Sequence, residues 1–214
     1  MGESQPHERE TGSREPEPGL RERKRRRMYQ EVSDTAVRLF LERGFDAVPV
    51  AEVAEAAGIS KPTLFRYFPA KEDLVLHRIA DHEAEAARVV AGEPDPVDAL
   101  RRHFLAGLER RDPVTGLNDH PQVLAFHTLL YGTPSLVARA YRHQERAEAA
   151  LAEALGGDLD ARLAAGQIIA VQRILALDNW RRIAAGEKVA DVAPEAVRAA
   201  ERAFGRLGAV LARS

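Results

Sequence analysis

Residues 51–68 read AEVAEAAGISKPTLFRYF, and this stretch is the strongest indication of the fold in the sequence. Two short segments with helical spacing of apolar residues flank a turn that contains Gly58, which is the pattern of a helix-turn-helix. Leu64 and Phe68 share one face of the second segment, where they can pack against Val53. The other face mixes cations with a hydroxyl and a phenol. Its residues are Lys61, Pro62, Thr63, Arg66 and Tyr67.

Side chains of these types bind phosphate oxygens and base edges, and the second helix of a helix-turn-helix can enter a major groove. The stretch therefore predicts a DNA-binding surface on its second helix. Ser60 is a suitable N-cap for that helix, and Pro62 lies in its first turn, where a missing N–H does no harm. Pro69 ends the helix.

Helical patterns continue on both sides of this stretch. Upstream, residues 21–43 carry an apolar stripe that ends at Gly44, which can adopt the left-handed terminating conformation. Downstream, a fourth helix is predicted from Lys71 to Ala91, and the segment GEPDP ends it. Further helices are predicted at residues 95–111, 120–131, 134–155, 158–186 and 194–212.

Sustained alternation of the strand type is absent from the sequence, so the predicted fold class is all-α. We divide the chain into a disordered tail at residues 1–20, a three-helix helix-turn-helix head at residues 21–70 and a larger helical domain at residues 71–214. The tail is assigned as disordered because it is polar, rich in Pro and Glu, and has no packing pattern.

Composition limits the class of protein. The chain has 214 residues and no cysteine, which excludes a disulfide framework, a thiolate metal site and a thiol nucleophile. It contains no apolar run of about 18 residues and no charged-then-apolar leader. We therefore expect a cytoplasmic protein with no membrane partner.

The formal net charge of −2 is unevenly distributed. The tail is acidic, whereas the block RERKRRR at residues 21–27 places six cations beside one Glu. Such a block suits a polyphosphate partner. Short basic runs also occur in solvated tails, so the block alone leaves nucleic-acid binding open.

The stretch at residues 51–68 and the residues that flank it resemble a known protein family. Residues 60–74, SKPTLFRYFPAKEDL, preceded by LFLERGFDAVPVAEVAEAAG at residues 39–58, resemble the DNA-binding domain of TetR-family transcriptional regulators. The resemblance covers roughly residues 25–79, and the remainder agrees only in length and number of helices. It implies a three-helix DNA-binding head, a fourth helix linking it to an effector-binding body, and a homodimer in which the last two helices form a four-helix bundle.

The resemblance also implies roles for individual residues. Lys61, Pro62 and Thr63 occupy the front of the recognition helix, where relatives approach base edges, Thr63 through a thymine methyl. Tyr67 stands at a phosphate-contact position, and Lys71 stands where relatives have a lysine that meets the DNA backbone.

Further cations extend this surface. Arg66 faces outward in this arrangement and can reach a phosphate or a guanine. Arg25, Arg26 and Arg27 resemble the basic arms that relatives lay along the neighbouring backbone or minor groove. Such arms supply affinity and salt dependence rather than sequence choice.

Two features depart from the family pattern. Phe65 stands where relatives often have a phosphate-binding tyrosine, and because its ring cannot donate a hydrogen bond, we place it nearer the core than the DNA. Val48 and Pro49 stand where relatives commonly have two threonines that cap the second helix. The backbone amide of Val50, at the positive end of the helix dipole, can still meet a phosphate.

Effector contacts are harder to predict, because an aromatic or polar residue on an apolar helical face is more often simple packing. The candidates on central helices are Phe104, His127, Tyr131 and Trp180. The histidines lack the tight spacing of metal ligands, and no catalytic constellation is recognisable. We expect no metal, no cofactor and no enzymatic activity.

The final predicted helix carries a broader apolar face than a monomer usually needs. Together with the four-helix bundle that the resemblance implies, this face predicts the dimer interface. Its expected residues are Val197, Phe204, Leu207 and Leu211.

These features predict a sequence-specific transcriptional regulator: a homodimeric repressor that an unknown small-molecule effector releases from a palindromic double-stranded DNA operator. Two alternatives stay open. The departures at Val48, Pro49 and Phe65 allow a helical small-molecule-binding protein or enzyme whose head has lost DNA binding. An activator of the same fold is also compatible, since repression or activation depends on operator position.

Overall fold

The computed structural model describes residues 19–80 and 82–211, and within these ranges the chain is helical with no strand. The all-α prediction is confirmed. The tail predicted to be disordered lies outside the described residues, apart from its last two positions. The helices of the first half are α1 (Leu20–Arg43), α2 (Val50–Ala56), α3 (Lys61–Tyr67), α4 (Asp73–Ala80), α5 (Glu85–Val90) and α6 (Pro96–Glu109).

A 3₁₀ turn at Pro113–Thr115 leads into the second half of the chain. There the helices are α7 (Pro121–Gly132), α8 (Pro134–Ala154), α9 (Leu159–Ala184) and α10 (Val189–Leu211). Side-chain caps define several of the helix starts. Ser60, Asp95 and Asp158 each accept a hydrogen bond from the amide three residues on, as N-cap residues do.

The predicted fourth helix is divided in two. α4 ends at Ala80, residues 82–84 form a turn, and α5 begins at Glu85. The continuous helix from Lys71 to Ala91 was therefore wrong. The turn places Glu83 against α8, where its carboxylate accepts hydrogen bonds from Arg146 at 2.8 and 2.9 Å and contacts His143.

The start of the last helix also differs from the prediction. α10 begins at Val189 and carries Pro194 inside it, instead of beginning at Pro194. The added turns are held by Val189 and Val192, which are buried in the core. A proline removes one backbone hydrogen bond, and here the buried valines outweigh that loss.

Two hydrophobic cores organise the chain. The head core joins α1 to α4 through a buried set that includes Val32, Phe40, Val48, Val53, Leu64, Phe68 and Leu74. The body core joins α5, α6, α8, α9 and α10 through Leu100, Phe104, Leu151, Ile168, Ile183, Val192, Phe204 and Leu207, among others. α4 contributes Leu74, Val75 and Leu76 to the head core, so α1 to α4 pack together as a four-helix unit.

The body also reaches into the head core. Leu130 near the end of α7 and Leu136 near the start of α8 are buried in it, and Phe126 packs against it. The α7–α8 junction is therefore part of the head. This placement makes α7 and α8 the physical connection between the two cores.

Candidate DNA-binding surface and effector site

The recognition helix α3 presents a cationic and aromatic outer face. Lys61, Pro62, Phe65 and Arg66 are exposed, and Thr63 is half-buried beside them. On the inner side, Leu64 is fully buried, and Phe68 directly after α3 is nearly so. Leu64 and Phe68 therefore lie on the inner side of α3, and Lys61, Pro62 and Arg66 lie on its outer side, as the spacing predicts.

The start of α3 is held by two hydroxyl groups. Ser60 Oγ accepts a hydrogen bond from the amide of Thr63 at 3.3 Å, and its oxygen lies 2.8 Å from Thr63 Oγ1. The Thr63 hydroxyl is thus paired with the cap. Its methyl group remains the part of the side chain that suits a thymine methyl.

Phe65 does not pack into the core. Its side chain is 40% exposed, and the Lys61 ammonium lies 5.9 Å from its ring centroid. The prediction that Phe65 lies nearer the core than the surface was therefore wrong. Leu64 and Phe68 fill the interior on the inner side of α3, and the Phe65 ring lies on the outer face.

Tyr67 is half-buried and held by its neighbours. Its ring makes an edge contact with Tyr29 of α1 at 5.1 Å between centroids. Arg66 lies over the same ring at 5.0 Å and donates a hydrogen bond to the phenol oxygen at 3.3 Å. A guanidinium and a phenol are thereby placed side by side at the end of α3, and both are groups that bind phosphate in protein–DNA complexes.

Lys71 is turned into the head. Its ammonium donates a hydrogen bond to the carbonyl of Phe45 and lies 4.5 Å and 5.3 Å from the ring centroids of Phe45 and Phe40. Burial lowers the pKa of this ammonium. The side chain therefore joins the loop after α1 to the segment before α4, and a phosphate contact requires it to leave these partners.

The basic block lies along the first turns of α1. The side chains of Arg25 and Arg27 are exposed, and Arg27 donates a 2.8 Å hydrogen bond to Glu31 one turn later. The side chain of Arg26 lies outside the described residues. The start of α2 has no side-chain cap, as the residues Val48 and Pro49 predict, and Val48 is instead fully buried. Val50 is the first residue of α2.

Three of the predicted effector residues come together in the body. His127 and Tyr131 of α7 contact Trp180 of α9, with ring centroids 6.2 Å and 4.6 Å from the indole. We call His127, Tyr131 and Trp180 the aromatic cluster. Phe104 lies apart from it, buried in the body core with its ring 6.0 Å from that of Phe204.

Two nitrogen atoms of the aromatic cluster are buried and unpaired. His127 Nδ1 and Trp180 Nε1 have no hydrogen-bond partner among the described residues. Burial lowers the pKa of His127 to about 4, so its imidazole is neutral at pH 7. Buried polar groups in folded proteins are nearly always paired, so these two atoms mark a place where a partner is expected.

A glycine positions the loop beside the cluster. Gly116 has φ +72°, and a Cβ atom at this position would lie 1.9 Å from the carbonyl oxygen of Ala176 in α9. The same loop is fixed by Asn179, whose amide donates a 2.9 Å hydrogen bond to the carbonyl of Thr115. The loop can approach α9 this closely only because residue 116 has no side chain.

Ion pairs join α8 of the body to the start of α4 and to the turn that follows its end. Arg139 of α8 donates two hydrogen bonds of 2.9 Å to Asp73, whose carboxylate also accepts from the amide of Ala70. Beyond α4, Glu83 meets His143 and Arg146 of the same helix. We call these two contacts the α8 clamp. A single sequence gives no signal for such pairs, because their partners are 60 or more residues apart.

The predicted dimer residues of α10 divide into two groups. Phe204 and Leu207 are only 1% and 6% exposed, whereas Val197 and Leu211 are half-buried. Phe204 and Leu207 pack in the body core of one protomer. The surface that α10 can offer to a second protomer is therefore formed by its other residues, among them Val197 and Leu211.

An exposed apolar stripe lies on α9 and was missed from the sequence. Leu159, Leu163 and Ile174 are 60%, 54% and 56% exposed and fall on one face of the helix. The signal was present as apolar residues at helical spacing. The small residues between them made this face look weaker than that of α10.

A groove of about 600 Å³ lies between α6 and α10. Its apolar walls include Leu105, Leu108 and Val197, and Glu109 and Arg198 lie among its charged lining residues. Among the described residues, no cluster of histidine, cysteine, aspartate and glutamate side chains is arranged to hold a metal ion. No helix in the described part of the chain has the length and apolar content needed to cross a membrane.

These features define a helix-turn-helix DNA-binding protein with a separate helical body. Its sequence matches the family model for bacterial regulatory proteins of the tetR family over residues 33–77. The HTH-type transcriptional regulator TcmR of Streptomyces glaucescens is 37% identical over 152 residues, which cover 67% of each chain. The chain therefore belongs to the TetR family of transcriptional regulators, which are not enzymes.

Other relatives match over shorter stretches or by fold. The HTH-type transcriptional repressor AcnR of Corynebacterium diphtheriae is 36% identical over 83 residues, covering 39% of this chain and 43% of that protein. The structure of GusR from Salmonella enterica superposes with a TM-score of 0.55 at 19% identity, covering 86% of this chain and 95% of that one. This likeness shows that the fold is shared beyond the head.

Proposed function

We propose that this regulator is a homodimeric repressor that binds a pseudo-palindromic operator and releases it when a small molecule binds the body. The observation that carries the DNA-binding part is the outer face of α3, where Lys61 and Arg66 are exposed while Leu64 holds the helix on the head core. A cationic helix face supported in this way fits a major groove. Repression is supported by the relative AcnR, which is named a repressor.

The contacts fall into two kinds. Lys61, Pro62 and Thr63 lie at the front of α3 and are assigned to base edges. Arg66 and Tyr67, side by side at its end, are assigned to phosphate, together with Lys71, the amide of Val50 and the basic block that includes Arg25, Arg26 and Arg27. The first kind sets sequence preference, and the second sets affinity and its dependence on salt.

The dimer is assigned to the exposed stripe on α9 and to the half-buried Val197 and Leu211 of α10. Large apolar residues exposed along one helix face are typical of an interaction surface. A two-fold dimer would present two copies of α3 to successive half-sites, which is why the operator is expected to be pseudo-palindromic.

The ligand-responsive part rests on α7. One side of this helix packs in the head core through Leu130, and another carries His127 and Tyr131 against Trp180. A molecule that binds the aromatic cluster therefore acts on the helix that also packs against the head. It shifts operator affinity only if it binds one arrangement of α7 more tightly than the other.

Selection of DNA from a random pool tests the proposal. The full-length protein should enrich a palindromic sequence at low salt, and Lys61→Ala should alter the enriched sequence. Arg66→Ala should instead weaken binding to every enriched sequence to a similar extent and reduce the salt dependence. Failure to enrich any palindrome at low salt would overturn the proposed repressor. It would favour a small-molecule-binding protein whose head does not bind DNA.

A further inference from the structure

The aromatic cluster has an incomplete set of hydrogen bonds. His127 Nδ1 and Trp180 Nε1 are both buried without a partner among the described residues, although the rings around them are packed. An unpaired buried polar group destabilises a protein. A ligand that pairs both nitrogens would recover that free energy, which gives the site an affinity for hydrogen-bonding groups.

The mouth of the cluster is aromatic and positively charged. Tyr131 is 40% exposed, and Tyr141 of α8 is exposed beside Arg173, whose guanidinium lies 5.8 Å from its ring centroid. Burial raises the pKa of the Tyr131 phenol, and the positive charges of Arg173 and Arg181 partly offset this rise. The positive charges of Arg173 and Arg181 therefore reach the Tyr131 phenol at the solvent side of the aromatic cluster.

We propose that the aromatic cluster binds a planar aromatic molecule that carries a hydroxyl group and an anionic oxygen. The inference rests on the proposed function, since it names the chemical class of the effector. The ligand ring packs on Trp180, and a ligand oxygen accepts the hydrogen bond from Trp180 Nε1. The ligand hydroxyl pairs with His127 Nδ1, and the anionic group lies toward Arg173 and Arg181.

Tyr131 provides access to this site. Its ring centroid lies 4.6 Å from that of Trp180, and the residue is 40% exposed. In the proposed complex the Tyr131 ring rotates toward solvent and uncovers the indole. A flat ring of similar size can then take its place, which is why the ligand must be planar.

The groove between α6 and α10 is the competing site. Its size is in the range of small-molecule pockets. Among the described residues, no buried unpaired polar atom belongs to the lining of this groove, and the charged lining residues carry both signs: Glu109, Arg111 and Arg198. The groove therefore selects a ligand less sharply than the cluster does.

Calorimetric titration of the full-length protein with 1-hydroxy-2-naphthoate tests the proposal. Two comparison probes separate its parts: octanoate has the anion without a ring, and 2-naphthylmethylammonium has the ring with a cation. We expect the naphthoate to bind at least about tenfold more tightly than either, which corresponds to about 1.4 kcal/mol. No naphthoate binding at millimolar concentration, or equal affinity for all three probes, would overturn the proposal.

Three variants locate the site. Trp180→Phe keeps a ring and removes the N–H, and His127→Phe removes the imidazole nitrogens, so each should weaken naphthoate binding about tenfold. Ala193→Phe narrows the groove and should leave the affinity unchanged. If Ala193→Phe abolishes binding while Trp180→Phe does not, the groove is the site and the cluster is not. Circular dichroism establishes that each variant is folded.

Failure of this inference is distinguishable from failure of the proposed function. Protein that binds its selected DNA but not the naphthoate overturns the ligand class alone. Protein that binds the naphthoate through Trp180 but enriches no DNA overturns the repressor and leaves the ligand site standing. The titration contains no DNA, so the two results are independent.

Discussion

Gly116 shows how one residue positions an element of the site. Gly116→Ala should destabilise the protein by at least about 3 kcal/mol, because the added Cβ meets the Ala176 carbonyl at 1.9 Å and the φ of +72° strains any side chain. Gly157→Ala is the matched control, since its φ is +78° but no atom lies within 4 Å of its Cβ position. We expect about 1 kcal/mol there from backbone strain alone, measured by urea unfolding. Equal losses of unfolding free energy in the two variants would show that α9 moves to make room for the added Cβ atom.

His127 predicts a pH dependence of stability. Burial lowers its pKa from 6.5 to about 4 in the folded chain, so between these values the unfolded state binds a proton that the folded state does not. Stability due to this group is therefore complete above pH 6.5 and falls as the pH decreases toward 4. From pH 7 to pH 5 the loss is about 2 kcal/mol, at about 1.36 kcal/mol per pKa unit. His127→Phe should remove this part of the slope in urea unfolding, and an unchanged slope would contradict it.

Thr63 allows the roles of a methyl and a hydroxyl to be separated. Its hydroxyl is paired with Ser60, so base preference is expected from the methyl group. Thr63→Ser keeps the hydroxyl and should relax the preference at one base pair, whereas Thr63→Val keeps the methyl and should preserve it. Sequence selection with both variants measures this. Loss of preference in Thr63→Val alone would assign the contact to the hydroxyl.

For the helices, the sequence predicts which segments are helical better than it predicts where a helix is interrupted. The apolar periodicity and caps such as Ser60 placed nearly every helix within a few residues of its observed range. The break after α4 could not be predicted, because no glycine or proline marks it. Glu83 lies in the turn after α4 and is paired with His143 and Arg146 of α8, and contacts over such a separation leave no local pattern.

The apolar face of α10 illustrates a second limit. Periodicity shows that a face is buried but not what covers it. Phe204 is covered by Phe104 of the same protomer, so the face that looked like an interface is core. The aromatic cluster was partly predictable for the same reason: His127 and Tyr131 share a helix face, whereas their contact with Trp180 depends on tertiary packing.

At the scale of the whole molecule, the exposed stripe on α9 predicts the dimer. Leu163→Asp should give monomers in sedimentation velocity, because a carboxylate in an apolar interface is desolvated without a partner. Val114→Asp is the control, since Val114 is 50% exposed and lies on the 3₁₀ turn, outside the stripe residues. The monomer should remain folded and bind a half-site without cooperativity. A dimer that survives Leu163→Asp would place the interface elsewhere.

The α8 clamp predicts that operator binding changes the environment of the aromatic cluster. The chain has one tryptophan, so Trp180 emission reports on the cluster without a label. If the cluster and the head are coupled, the effect is reciprocal, and selected operator DNA should change Trp180 emission even in the absence of an effector. The clamp carries this change through the hydrogen bonds between Arg139 and Asp73.

Arg139→Gln should separate DNA binding from the change in Trp180 emission that DNA induces. Glutamine cannot donate hydrogen bonds to both oxygens of the Asp73 carboxylate as arginine does. DNA binding should persist within about tenfold, while the DNA-induced change in Trp180 emission should fall by at least about half. Arg142→Gln, an exposed position on the same helix, should retain the full change. An emission change that persists in Arg139→Gln would show that α7 couples the two cores through Leu130 without the clamp. No change in the unaltered protein would show that the cluster and the head are independent.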